Sequence, residues 1–147
     1  MLTKFPKFKL NVPKYYKIDA EGKTLGRIAS KVCNLLTGKY SSHYTPGVDQ
    51  GNFVIVINAS LISISGKKST HKRYYYSTKR PGALKAELYK SLKVRLPSRI
   101  LEKAIFGMLP KTALGRKLYK RLYVFSKGLC LKKSAQAYNM PTFTQIC

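Results

Sequence analysis

Between Asn52 and Asn58 the chain runs Phe53-Val54-Ile55-Val56-Ile57, apolar at every position. A strand with one wet face alternates apolar and polar residues. A strand that is apolar throughout has to be covered on both faces, as in a parallel sheet packed between helices. The segments around it fit that frame. Tyr15-Tyr16-Lys17-Ile18-Asp19 is a short β-prone run that stops at the turn signal Glu21-Gly22. In the segment that follows, Leu25, Ile28, Ala29, Val32, Leu35 and Leu36 recur at helical spacing. Thr24 is placed to be its N-cap and Gly38 its C′ residue. The order strand, helix, apolar strand predicts an α/β fold: a three-layer α/β/α domain with a mostly parallel central sheet.

Further along, Tyr44 to Gly51 is rich in turn formers and reads as a loop. Leu61-Ile62-Ser63-Ile64-Ser65 alternates and predicts another strand, and Tyr74-Tyr75-Tyr76 is a candidate for one more. Leu84, Leu88, Tyr89 and Leu92 share a helical face, which predicts a helix over 84–92. Pro97 suits the first position of a helix reaching about Met108, with Ile100, Leu101, Ala104 and Ile105 turned inward and Pro110 breaking it. Leu114, Leu118, Tyr119 and Leu122 define a last helix, and Tyr123-Val124-Phe125 a final short strand. The expected organisation is a basic arm over 1–14, one α/β domain over 15–126 and an extended basic tail over 127–147.

Charge decides what kind of partner such a domain has. The 147 residues carry 29 Lys plus Arg against 5 Asp plus Glu, a formal net charge of +24. A compact body with that charge repels itself unless a polyanion neutralises it. Nucleic acid does so readily, because each Lys or Arg set on a phosphate releases condensed counterions. The cations are spread along the chain rather than gathered into a lipid-binding block, and no apolar stretch approaches a membrane span. The first residues, MLTKFPKFKLNVPK, hold four lysines and two prolines and no apolar core of a secretory signal. Cys33, Cys130 and Cys147 are far apart, odd in number and without a C-x-x-C spacing, so free thiols are expected.

Catalytic motifs are poor. Glu21-Gly22-Lys23-Thr24 resembles the end of a phosphate-binding loop, but the glycine required five residues before Gly22 is Lys17. The five acids, Asp19, Glu21, Asp49, Glu87 and Glu102, are too few and too scattered to promise a metal cluster or a carboxylate pair. Asp49 reads as a turn cap, and Glu87 and Glu102 as partners of nearby helical lysines. No metal, cofactor or small-molecule substrate is implied.

The stretch from Gly66 to Gly82 interleaves six cations with three tyrosines and four hydroxyl residues, and contains no acid. The cations are Lys67, Lys68, Lys72, Arg73, Lys79 and Arg80. Such side chains contact phosphates, tyrosine stacks on unpaired bases, and hydroxyls reach phosphate or a 2′-hydroxyl. A second strip, with Lys111, Arg116, Lys117, Lys120 and Arg121 beside an apolar stripe, can pack on one side and follow a phosphate backbone on the other.

These segments also carry a resemblance. Tyr16-Lys17-Ile18-Asp19-Ala20-Glu21-Gly22-Lys23-Thr24-Leu25-Gly26-Arg27-Ile28-Ala29-Ser30 resembles the opening signature of the L-thirteen family of bacterial-type large-subunit ribosomal proteins. Tyr44-Thr45-Pro46, Val54 to Ala59, Gly66-Lys67-Lys68, Pro81-Gly82, Gly107 to Lys111 and Leu114-Gly115-Arg116 follow in the family's order. The resemblance spans roughly residues 15 to 125. It implies large-subunit ribosomal RNA and neighbouring large-subunit proteins as partners, a role in subunit assembly and no catalytic residue. By position it implies Arg27, Lys39, Lys67, Lys68, Lys72, Tyr75, Ser77, Lys111 and Arg116 as RNA-facing. The composition adds Arg73, Lys79, Arg80, Lys117 and Arg121. Departures from the family stand at Tyr15, Asn52, Tyr76 and Leu131-Lys132-Lys133, and they point to an organellar ribosome ahead of a bacterial one. The rival classes are a nuclease, which needs an acid cluster, and a general nucleic-acid-compacting protein off the ribosome.

Overall fold

The computed structural model describes residues 13–42, 44–128 and 144–145. Strand β1 (Tyr15–Asp19) turns through Gly22 into helix α1 (Leu25–Thr37). All six residues of the predicted helical stripe are buried. Gly38 ends the helix in the left-handed region at φ 77°, which a side chain would disfavour. Its N–H and that of Lys39 turn back to the carbonyls of Leu35 and Asn34. Thr24 holds the N-cap position with extended backbone, but its side chain makes no capping bond. The backbone here is tied to a distant segment: Thr24 forms a parallel bridge to Ser63, whose carbonyl takes the Leu25 N–H at 3.1 Å.

Strand β2 (Phe53–Ile57) pairs in parallel with β1 from Tyr15↔Phe53 to Asp19↔Ile57. Its other edge carries β5 (Leu122–Val124), also parallel, and β1 carries β6 (Thr144–Gln145), giving the order β5-β2-β1-β6. The apolar run is therefore a central strand. Val54 and Val56 point with Ile18 into the cluster formed by the helices, while Ile55, on the opposite face, is only 1% exposed. Both faces are covered, as a continuously apolar strand requires.

Helix α4 (Pro97–Met108) lies against α1, with Pro97 in its first turn and Ile100, Leu101 and Ile105 buried. Each such side chain contributes about 1.5–3 kcal/mol through burial. Helix α3 (Tyr89–Arg95) adds Tyr89 and Leu92 to the same core, and α5 (Ala113–Tyr119) buries Leu118 outside that cluster, beside Gly51. Thr112 caps α5, its hydroxyl accepting the Gly115 N–H at 3.4 Å. Cys33 is half-buried and donates weakly to the Met108 carbonyl, and burial pushes its thiol pKa up.

Three expectations are corrected. The segment 61–65 is not a strand. Asn58 enters the left-handed region, Ala59–Leu61 forms a 3-10 turn, and the Ala59 and Ser60 N–H groups go to the carbonyls of Phe125 and Ser126. Only Ser63 retains a bridge. The predicted helix over 84–92 is half strand: β3 (Arg73–Ser77) and β4 (Leu84–Leu88) form an antiparallel hairpin, and α3 starts at Tyr89. Leu84-Lys85-Ala86-Glu87-Leu88 alternates with period two as well as matching helical spacing, and pairing with β3 settles the conflict. A single helical turn, α2 (Lys68–His71), precedes β3. Finally, the last helix stops at Tyr119, and the strand after it begins one residue earlier than predicted, at Leu122. Most of the expected arm and tail, with Cys130 and Cys147, lies outside the described residues.

Candidate nucleic-acid interface

The hairpin sorts the Gly66–Gly82 stretch onto two sides. Strand alternation turns Tyr74 and Tyr76 one way and Arg73, Tyr75 and Ser77 the other. On the second side the partners across the ladder are Leu88, Ala86 and Leu84. That entire face is exposed, and Tyr75, opposite the small Ala86, shows 60% of its surface. It offers a flat phenol ring between a guanidinium and a hydroxyl, the chemistry that stacks on an unpaired base and grips its phosphate. Lys67, Lys68, Lys72, Lys79 and Arg80 are exposed around it. Ser77 has a further structural task, its hydroxyl accepting the N–H of Lys79, which turns the chain at φ 66°.

Tyr74, facing the body of the protein, packs against the core cluster. Burial, and then the neighbouring Tyr89, push its phenol pKa up. The nitrogens of Lys72 and Lys103 sit 5.4 and 5.0 Å from its ring centroid. Lys103 was missed as a candidate by the sequence reading, which saw α4 only as a core helix. No local signal could have found it, because its neighbour comes from a distant hairpin.

Two other basic areas lie apart from the hairpin in sequence. Arg27, exposed on α1, borders with Lys23 and Lys31 a depression of about 300 Å³ floored by Ile18 and Ile28. Lys39 is exposed just past the end of α1. On and around α5, Lys111, Arg116 and Lys117 are exposed.

Arg121 differs from these in being held by the protein itself. Its side chain is 20% exposed, and its guanidinium donates to Asp49 Oδ2 at 2.7 Å and to the Gly51 carbonyl at 2.6 Å. It also stacks over Phe53, 5.6 Å from the ring centroid. The arginine fastens the loop before β2 to the end of α5. Lys117 joins the same carboxylate at 3.3 Å but remains 60% exposed, so it can still meet a phosphate.

The acids serve the fold. Burial alone would raise the Asp49 carboxyl, but the Gly51 N–H, Arg121 and Lys117 outweigh it and hold the pKa below the ordinary range. Asp49 is thus the turn cap that the sequence predicted, with an ion pair added. Asp19 accepts the Glu21 N–H and the Asn58 amide, and the first of these leads in lowering its pKa. Glu87 pairs with Arg95 at 2.7 Å rather than with a nearby helical lysine, because it stands on a strand. Among the described residues no group of three His, Cys, Asp or Glu could hold a metal ion, and no helix is long and apolar enough to cross a membrane. With three of the five acids tied into the fold, the exposed field is strongly positive.

Residues 13–128 match the family model described as "Ribosomal protein L13". The chain is 47% identical over 123 residues to the large ribosomal subunit protein uL13 of Trichodesmium erythraeum (strain IMS101), covering 84% of this chain and 82% of that protein. It is 49% identical over 122 residues to the protein of the same name from Synechococcus sp. (strain CC9902), covering 83% and 81%. The corresponding protein of Symbiobacterium thermophilum is 50% identical over 113 residues, covering 77% and 79%.

Proposed function

The chain belongs to the ribosomal protein L13 family, and from that premise we propose that it is a non-catalytic structural constituent of the large ribosomal subunit. Its partners are large-subunit ribosomal RNA and the ribosomal proteins beside it. The observation that carries this reading is the hairpin with its flanks: an exposed, acid-free surface of Lys67, Lys68, Lys72, Arg73, Tyr75, Ser77, Lys79 and Arg80. Arg27, Lys39, Lys111, Arg116 and Lys117 extend it along other parts of the body. The mechanism is neutralisation and cross-bracing. Cations on a rigid α/β body bridge RNA segments whose phosphates otherwise repel, and Tyr75 adds stacking on an unpaired base.

The departures at Tyr15, Asn52, Tyr76 and residues 131–133 support an organellar ribosome, in a mitochondrial matrix or plastid stroma. A bacterial cytoplasm is the other outcome. Tyr15 is accommodated in the sheet by stacking on Phe53, with centroids 4.8 Å apart.

Sedimentation of a native lysate tests the reading, with the chain followed before and after magnesium chelation and the source compartment recorded. Travel with the large subunit, and a shift when particles fall apart, is the expected result. A chain that stays at the top of the gradient would instead favour a free nucleic-acid-compacting role. Isolated RNA binding should weaken by about 10³–10⁵ between roughly 50 and 200 mM salt if 6 to 10 phosphates are contacted. A flat dependence refutes the electrostatic mechanism.

A further inference from the structure

Two lysines from separate elements converge on one tyrosine ring. Lys72 stands between α2 and β3, and Lys103 stands on α4. Their ammonium nitrogens lie 5.4 and 5.0 Å from the Tyr74 centroid, so they are at most 10.4 Å apart, the two distances laid end to end. Both side chains are exposed. Neither meets a carboxylate, since the ion pairs among the described residues are Arg95–Glu87, Lys117–Asp49 and Arg121–Asp49.

In the free protein this arrangement sets like charges against each other. The π-face of the ring offsets the repulsion by about 0.5–1 kcal/mol per exposed cation. A stretch of polyanion reaching both nitrogens would turn the repulsion into attraction. The ring that gathers them is held firmly. Tyr74 pairs with Glu87 across the hairpin and packs on the core cluster, and its buried hydroxyl has no partner among the described residues. The platform is therefore in place before any ligand arrives, which reduces the ordering that binding requires.

We propose that Lys72 and Lys103 form a phosphodiester clamp on the Tyr74 ring, a preassembled site for one stretch of ribosomal RNA backbone shared between the hairpin and α4. The proposal rests on the ribosomal-RNA reading above. It adds α4 to the interface and divides the labour of two adjacent tyrosines. Tyr74 has cations over its ring and serves the backbone. Tyr75, on the other side of the strand, is open and serves a base. The clamp also gives RNA a hold on both the hairpin and the helical core, so the backbone it grips braces one against the other.

The test uses the full chain and an in vitro transcript of the large-subunit ribosomal RNA from the protein's own source, titrated over a series of salt concentrations. Lys72→Gln, Lys103→Gln and the double variant are compared with Lys90→Gln, which removes an exposed lysine on α3. Urea unfolding confirms that each variant folds. Lys103→Gln should lower the salt slope by about one unit and weaken binding several-fold at low salt. Lys103→Arg should restore both. The double variant should lose less than the two single losses combined, because the lysines act as a unit. If Lys103→Gln binds like the unaltered protein, or no worse than Lys90→Gln, the clamp is refuted while steep binding by the unaltered protein leaves the ribosomal-RNA reading standing. If the unaltered protein shows no salt dependence, the broader reading falls and the clamp falls with it.

Discussion

Replacing Asp49 by alanine should destabilise the fold, and the structure sets the size of the effect. The Asp49 side chain is 8% exposed and holds Arg121 at 2.7 Å and Lys117 at 3.3 Å. Removing one partner of a fully buried ion pair costs about 3–5 kcal/mol, because the other charge is stranded. Arg121 is 20% exposed and keeps the Gly51 carbonyl and the Phe53 ring, which lowers the figure. The Lys117 arm is exposed and adds roughly 0–1 kcal/mol. The expected loss is about 2–3 kcal/mol, or a fall in Tm of roughly 6–10 °C for a domain of this size. Urea and thermal unfolding followed by circular dichroism measure it.

The pH dependence gives a second readout. The folded-state pKa of Asp49 is depressed. Its contribution is therefore present above the unfolded carboxyl value, about 3.9, and is lost as pH falls through the lower folded value. The gap between the unaltered protein and Asp49→Ala should be constant near neutrality and close in acid. A loss under about 0.5 kcal/mol would be no more than a surface substitution gives. That result, or a gap that persists undiminished in strong acid, refutes the claim that this ion pair fastens the loop to α5.

Gly115→Ala should cost about 1–3 kcal/mol, since the added methyl would run into the Pro110 carbonyl, which is backbone and cannot swing aside. The same unfolding assays measure it, and unchanged stability would refute the close approach. Tyr74→Phe removes a buried hydroxyl that has no partner among the described residues, while keeping the ring. It should leave stability equal or raise it by up to about 1 kcal/mol, with RNA affinity unaltered. A clear destabilisation would mean that the hydroxyl is satisfied.

The parts of the fold that could be read from the chain are those decided locally. The β1–α1–β2 unit follows from a helical stripe, Gly38 and an unbroken apolar strand, and α4 from Pro97 and its spacing. The hairpin is different. Leu84 to Leu88 satisfies both periods, and only the partner strand at 73–77 chooses between them. Segment 61–65 shows the opposite failure: it alternates like a strand, yet the residues just before it, Ala59 and Ser60, donate to the Phe125 and Ser126 carbonyls and begin a 3-10 turn. The same holds for the candidate interface. The cations around Tyr75 form a contiguous stretch and announce themselves. Whether Arg121 faces a phosphate or a carboxylate depends on Asp49, far away in the chain, and Lys103 gains its setting only when α4 meets the hairpin.

The central place of β2 has a consequence for how the chain reaches its fold. Its partner β1 precedes it, but the strand that covers its other edge, Leu122–Val124, follows α4 and α5. Until then a five-residue strand without charge or proline presents an open edge, the pattern that seeds intermolecular cross-β stacking. A net charge of +24 holds such half-finished copies apart. The cations that attract RNA to the finished protein thus act earlier as a guard against aggregation. The guard weakens with salt, as the screening length falls from about 10 Å at 0.1 M to about 3 Å at 1 M. Refolding should therefore proceed most cleanly at low ionic strength, with RNA supplied only after the sheet has closed.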